Sequence, residues 1–305
     1  MKKYFVLIVS CLLWGVVATA QPQKVIEKDF ENFSTINIAD KFDVKLITSD
    51  RYAVRINVDE RIASHVKAYE KNGILYLSLD ERGYTKDLKK QLKQKGSSQP
   101  VLEAEIYMPH VNSLVFTDQV FVRYCDELKS ENFTLTASDN VKIQQLRVSC
   151  STADFNVSKS VDMTAEMTVA SKLYLAAANS AKVSLIQNGG NSFLELGGSA
   201  YVDMKAAVQS LEVIASSGSE SHISGTASLL SVNALGLSRT DAELLEVKEG
   251  QITQTGSSKC HVNVTDKMKV NLTGGSMLTF KRTPVIEVER IVGSTLIKAD
   301  DPKRK

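Results

Sequence analysis

The chain has 305 residues, 43% of them hydrophobic and 7% aromatic, with only five prolines, a composition that fits a folded protein of one or two domains rather than a disordered one. It carries 37 Lys and Arg against 35 Asp and Glu. A nucleic-acid-binding protein shows a clear basic excess, so nucleic acid is excluded as the expected partner.

Residues 1–20 read as a signal peptide. Lys2 and Lys3 supply the positive start, residues 4–17 an apolar run, and Ala18-Thr19-Ala20 the small-residue pattern of a cleavage site. The run is short for a membrane span. Ile8-Val9-Ser10-Cys11 has the look of a lipoprotein box, but the apolar stretch continues past Cys11 where a tethered protein needs a polar segment. Cleavage after Ala20 is therefore the favoured reading, with lipidation of Cys11 left open. Loss of Lys2 and Lys3 leaves 35 basic against 35 acidic residues. No later stretch is long and apolar enough to cross a bilayer, so the expected product is exported, whether periplasmic, on the cell surface or secreted, and has no transmembrane segment. Cys125, Cys150 and Cys260 remain, an odd number for an oxidising compartment. Cys125 and Cys150 are the closest couple, and small buried thiols are the default expectation.

Residues 21–112 form a first section. Apolar and polar positions alternate over 33–38, 42–47, 52–58, 66–69, 74–79 and 101–108, as half-buried strands do. Asn72-Gly73 lies between two of these runs and signals a hairpin, so consecutive antiparallel strands are expected. The break is residues 82–100, where Arg82, Lys86, Lys89, Lys90, Lys93 and Lys95 face Asp87 alone. Leu88 and Leu92 stand at i and i+4, the spacing of a turn or two of helix. This insert reads either as a solvated loop or as a docking patch for acidic envelope polymers.

Residues 113–305 repeat. Asn140, Ser160, Ser180, Ser199, Ser219, Ser238, Ser257, Ser276 and Ser294 follow one another at 20, 20, 19, 20, 19, 19, 19 and 18 residues. The residues before them are rich in Gly, Asn and Asp, which accept left-handed or tight-turn backbone. Such a period marks a solenoid, and period-2 alternation within each rung makes the units strands. With that serine as zero, the position five residues earlier reads Leu135, Phe155, Leu175, Leu194, Ile214, Asn233, Ile252, Asn271 and Glu289, an inward column for most of its length. The position two residues later holds Lys142, Asp162 and Lys182, an outward ladder of alternating charge. The expected fold class is all-β: a right-handed parallel β-helix of about 20 residues per rung, with the N-terminal antiparallel section as its cap.

Three residues invite a chemical reading. The position three after the serine holds His222, Asp241 and Cys260 in succession, the residue types of a cysteine nucleophile with base and orienter. Stacked on successive rungs, His222 and Cys260 would be about 9–10 Å apart, while a base must come within about 3 Å of its nucleophile. A polar break in the core is the expected role. His65, His110 and His261 show no spaced ligand partners. Neither catalytic, cofactor-binding nor metal residues are expected, and no cofactor is implied.

The openings Phe33-Ser34-Thr35-Ile36-Asn37-Ile38, Phe42-Asp43-Val44-Lys45-Leu46 and Asn72-Gly73-Ile74-Leu75-Tyr76-Leu77, followed by Gly-Ser rungs, resemble the auto-transporter adhesin head domain family, the GIN domain of Bacteroidetes-type envelope proteins. The resemblance covers about residues 33–297 and implies a β-helical, extracytoplasmic protein without catalytic residues. No membrane β-barrel pattern follows the repeats. The expected function is that of a non-enzymatic binding or structural protein of the cell envelope, adhesin-like, whose partner is an envelope polymer, glycan or protein. The alternative is a β-helical lyase or hydrolase acting on polysaccharide, against which Asp162, Asp203 and Asp241 stand in different columns. Exposed solenoid edges or ends could also pair with a second copy.

Overall fold

The structure, a computed structural model, describes residues 22–94 and 99–299; the signal-peptide segment with Cys11 lies outside the described residues. The strands are β1 (Gln23–Phe30), β2 (Thr35–Ile38), β3 (Asp43–Thr48), β4 (Tyr52–Asp59), β5 (Val66–Lys71) and β6 (Ile74–Leu79). A single α-helix among the described residues, α1 (Lys86–Lys93), follows, and then β7 (Leu102–Met108), β8 (Ser113–Thr117), β9 (Phe121–Cys125) and β10 (Leu128–Ser138). The remaining strands are β11 (Lys142–Ser158), β12 (Asp162–Ala178), β13 (Lys182–Asn188), β14 (Asn191–Leu196), β15 (Tyr201–Ala215) and β16 (Glu220–Gly236). The chain ends in β17 (Arg239–Gly256), β18 (Lys259–Thr273), β19 (Met277–Lys281), β20 (Val285–Val292) and β21 (Thr295–Lys298).

These strands build a β-solenoid of about nine turns and about 20 residues per rung. Two parallel ladders run its length. One takes β6, β2, β8, β10 and the second halves of the later rungs to β20; the other takes β7, β3, β9 and the first halves to β21. Antiparallel pairing is confined to the N-terminal end, where β5 pairs β6 and β1 and β4 extend the other ladder. The antiparallel strands thus finish the two ladders at that end. Not every N-terminal strand is antiparallel, however: β2 and β3 are already parallel rungs of the stack. Consecutive alternating strands look alike in sequence whether the connection between them is a hairpin or a solenoid corner, so alternation alone cannot tell the two apart.

The corner that sets the period is a left-handed residue. In strand register, Asp40, Asp118, Asp139, Lys159, Asn179, Gly198, Ser217, Gly236, Gly256 and Gly274 each stand three residues before the strand of their rung, and all have φ between 58° and 82°. At Gly198 an added Cβ would lie 2.9 Å from the Asn179 backbone of the rung beside it, so glycine here answers both the dihedral and the close stacking.

The recurring serines occupy two columns rather than one. Ser160, Ser180, Ser199 and Ser257 are exposed corner residues, whereas Ser219, Ser238, Ser258 and Ser276 are buried one position later, in line with Val141, Val161, Ala181 and Ala200. Serine is small enough to fill either place. With that slip removed, the inward column becomes Leu135, Phe155, Leu175, Leu194, Val213, Val232, Ile252 and Val270, every member buried, and Ile214, Asn233, Asn271 and Glu289 leave it. This column belongs to one continuous apolar core running from Phe33 to Phe280. Burial of such side chains contributes about 25 cal/mol per Å², the main term holding the rungs together.

Candidate functional site

Correct register also decides the chemistry. Asp203 pairs His222, His222 pairs Asp241 and Asp241 pairs His261, while Cys260 pairs Thr240. Cys260 therefore points into the core, where it is fully buried and burial together with Asp241 pushes its thiol up. His222 and Asp241 face the other way. The sequence places the three in one column; the strand alternation puts the nucleophile candidate on the opposite face from base and orienter, so no Cys–His pair forms. Asp203 and Asp241, expected in different columns, share one with His222 between them.

What the ladder does assemble is a polar outer face. The Tyr201 ring lies 5.5 Å from the His222 ring, and His222 Nε2 is 2.9 Å from Glu220 Oε1. Arg239 reaches both Glu220 Oε1 and Asp241 Oδ2 at 3.8 Å. Between Ala242 and Glu246 the register against β18 breaks, and this bulge sets Glu243 beside Asp241, whose Oδ1 accepts the Glu243 N–H at 3.2 Å. Ligating atoms of Asp241, Glu243 and His261 lie within 4.8 Å of one another. Periodicity leaves His261 without ligand partners because a bulge has no signature in a period. Lys281 Nζ contacts Glu243 Oε1 at 2.6 Å. By contrast, Lys142, Asp162 and Lys182 stand opposite one another as expected, and Lys142 lies 5.8 Å from the Phe121 ring centre.

A second feature lies at the N-terminal end. Residues 82–100 hold α1, capped by Thr85 Oγ1, which accepts the Leu88 N–H at 3.2 Å. Leu88 and Leu92, four apart, pack on the core and fix the helix against the first rungs; residues 95–98, including Lys95, lie outside the described residues. Between α1 and the rungs is a cleft of about 740 Å³, bordered by Lys41, Lys89, Lys93, Leu92, Tyr84 and Phe121. The carboxylates at its rim are engaged: Glu81 by Lys41 at 2.8 Å, Asp43 by Arg123, and Glu103 by the Asn57 amide at 3.2 Å. Among the described residues, Lys89 and Lys93, one helical turn apart, have no carboxylate within ion-pair distance. The cleft thus combines an apolar wall with two lysines that have no ion-pair partner among the described residues.

Cys125 and Cys150 do not pair. All three described cysteines are free and buried, and Cys150 stands opposite Ser130 and Val169, not Cys125. Burial pushes the Cys125 thiol up to about 12 and raises Cys150 as well.

Residues 32–171 and again 140–284 match the family described as "Putative auto-transporter adhesin, head GIN domain". Among solved structures, a putative adhesin from Parabacteroides merdae is similar at 14% identity and a TM-score of 0.52, over 91% of this chain and 96% of that one. A putative adhesin from Parabacteroides distasonis aligns over 92% and 98% at 13% identity and a TM-score of 0.45. A putative lipid-binding protein from the same species aligns over 91% and 97% at 14% identity and a TM-score of 0.37. No curated protein matches.

Proposed function

This chain belongs to the auto-transporter adhesin head (GIN) domain family, and from that premise we propose that it is an exported, non-enzymatic binding protein of the cell envelope that holds an acidic polymer in the cleft beneath α1. One observation carries the reading: among the described residues Lys89 and Lys93 have no ion-pair partner, over a cleft where Glu81 and Asp43 are held by cations and Glu103 accepts from the Asn57 amide. An acidic glycan fits that arrangement, with its charges on the lysines and its ring faces on Phe121 and Leu92. The opposed faces of His222 and Cys260 support the non-enzymatic part. The family supports an envelope or surface location, and no helix among the described residues is long and apolar enough to cross a membrane.

Retention on immobilised polygalacturonate, with neutral dextran as the control, tests the proposal. The chain is expected to bind the acidic matrix and elute as salt rises, and Lys89→Glu with Lys93→Glu to abolish retention. Equal retention of that double variant removes the cleft as the binding site.

A further inference from the structure

Of the described polar clusters, the group on the outer face at Asp241, Glu243 and His261 has the donor chemistry of a metal site. We propose that these three residues bind a divalent transition-metal ion, zinc being the probe. The site is separate from the α1 cleft and does not depend on the function proposed for it. Its donors are one imidazole and two carboxylates, drawn from adjacent rungs and brought to one face by the bulge after Ala242. Donors bound at about 2.0–2.2 Å from one zinc ion stand about 3.3–3.6 Å apart in a tetrahedron. Atoms already within 4.8 Å of one another reach that spacing by side-chain rotation, without moving the rungs.

The donor set selects the class of ion. Calcium takes six to eight oxygens and magnesium six ligands in a near-ideal octahedron, mostly water, whereas a mixed nitrogen and oxygen set suits zinc and its first-row neighbours. Three protein ligands leave at least one position open for water or for a group on a partner. The residues now touching the carboxylates can yield. Lys281 and Arg239 each make an exposed contact, Arg239 at 3.8 Å, and such contacts are weakly held. The Glu243 backbone N–H, donating to Asp241 Oδ1, holds the Asp241 carboxylate in place from behind. His222, next in the ladder, is held by Glu220 and Tyr201 and is not assigned to the ion.

The test is calorimetric titration of the tag-free chain with zinc, calcium and magnesium chlorides. One equivalent of zinc is expected to bind with no saturable binding of calcium or magnesium. His261→Ala and Glu243→Gln should each weaken zinc by about tenfold or more, while His222→Ala stays within about twofold of the parent. No saturable zinc binding up to about 1 mM, or equal weakening by His222→Ala, overturns the assignment. The chain has four histidines, so imidazole resonances of the unmodified protein give a check that needs no variant. Zinc should shift the His261 signals first, and a shift of His65 or His110 instead contradicts the site.

Discussion

Asp241 and His261 face each other across adjacent rungs on the outer surface, while Cys260, one residue earlier, is wholly inside the core. A single step along the strand separates a solvent-facing imidazole from a thiol with no access to water. That alternation governs what each residue can do, and the buried thiols give its first consequence. Burial raises Cys125, Cys150 and Cys260 alike, and the thiolate is the reactive form. Iodoacetamide at pH 8 should leave Cys125 and Cys260 unmodified in the native protein and label both in guanidinium. Rapid native labelling of Cys260 would place it outside the core.

Positive-φ backbone makes predictions of opposite sign at two positions, Ser217 in the corner column and Gly225 inside β16. Ser217 holds φ 63° with no glycine to ease it, and a left-handed L-residue costs about 1–2 kcal/mol. Glycine gives back part of that through its unfolded-state entropy. Ser217→Gly should therefore stabilise by about 0.5–1 kcal/mol, read as a rise in Tm of about 2 °C.

At Gly225 the strain runs the other way. Its φ is 108° and an added Cβ would fall 2.0 Å from the Ala206 carbonyl oxygen of the neighbouring rung. Backbone there cannot yield without parting two strands. Gly225→Ala should cost on the order of 3–5 kcal/mol and lower Tm sharply in a thermal melt, and a Tm equal to the parent's would mean the rungs are stacked differently.

Asp59 sets a pH dependence. Its buried carboxylate accepts Arg61 Nε at 2.9 Å and Nη2 at 2.6 Å, and these hydrogen bonds hold it below the usual carboxylate range. A depressed folded-state value stabilises above the unfolded value near 3.9, and the contribution is lost as pH falls through the folded value. Asp59→Asn should be about 1–3 kcal/mol less stable at pH 7, with the gap closing progressively below about pH 4. Denaturant melts of both proteins from pH 2 to 7 check it, and a gap independent of pH would refute the ion-pair account.

Much of this molecule is legible in its residues. Alternation places β2 to β7 within one or two residues, Asn72-Gly73 forms the β5–β6 turn at φ 56° and 74°, and Leu88 with Leu92 locates α1. β1 escapes notice because it is an exposed edge strand, with no residue fully buried, and alternation is a record of burial. The site is harder to read for two physical reasons. Serine serves equally as exposed corner and as buried filler, so Ser219 and Ser238 pass for members of a column they do not share with Ser199. The bulge after Ala242 inserts residues that no period counts, and Glu243 reaches His261 only through it.

Both the absence of a cysteine nucleophile and the grouping of Asp241 with His261 rest on one register between β17 and β18. The direct measurement is an oxidative cross-link in the Asp241→Cys, His261→Cys variant, with the native Cys260 kept as an internal competitor and the product mapped by peptide mass. Adjacent residues on neighbouring strands lie within the roughly 4.4–6.8 Å Cα separation that a disulfide spans. The structure predicts a link between positions 241 and 261, with Cys260 left reduced; a link between position 241 and Cys260 would contradict it.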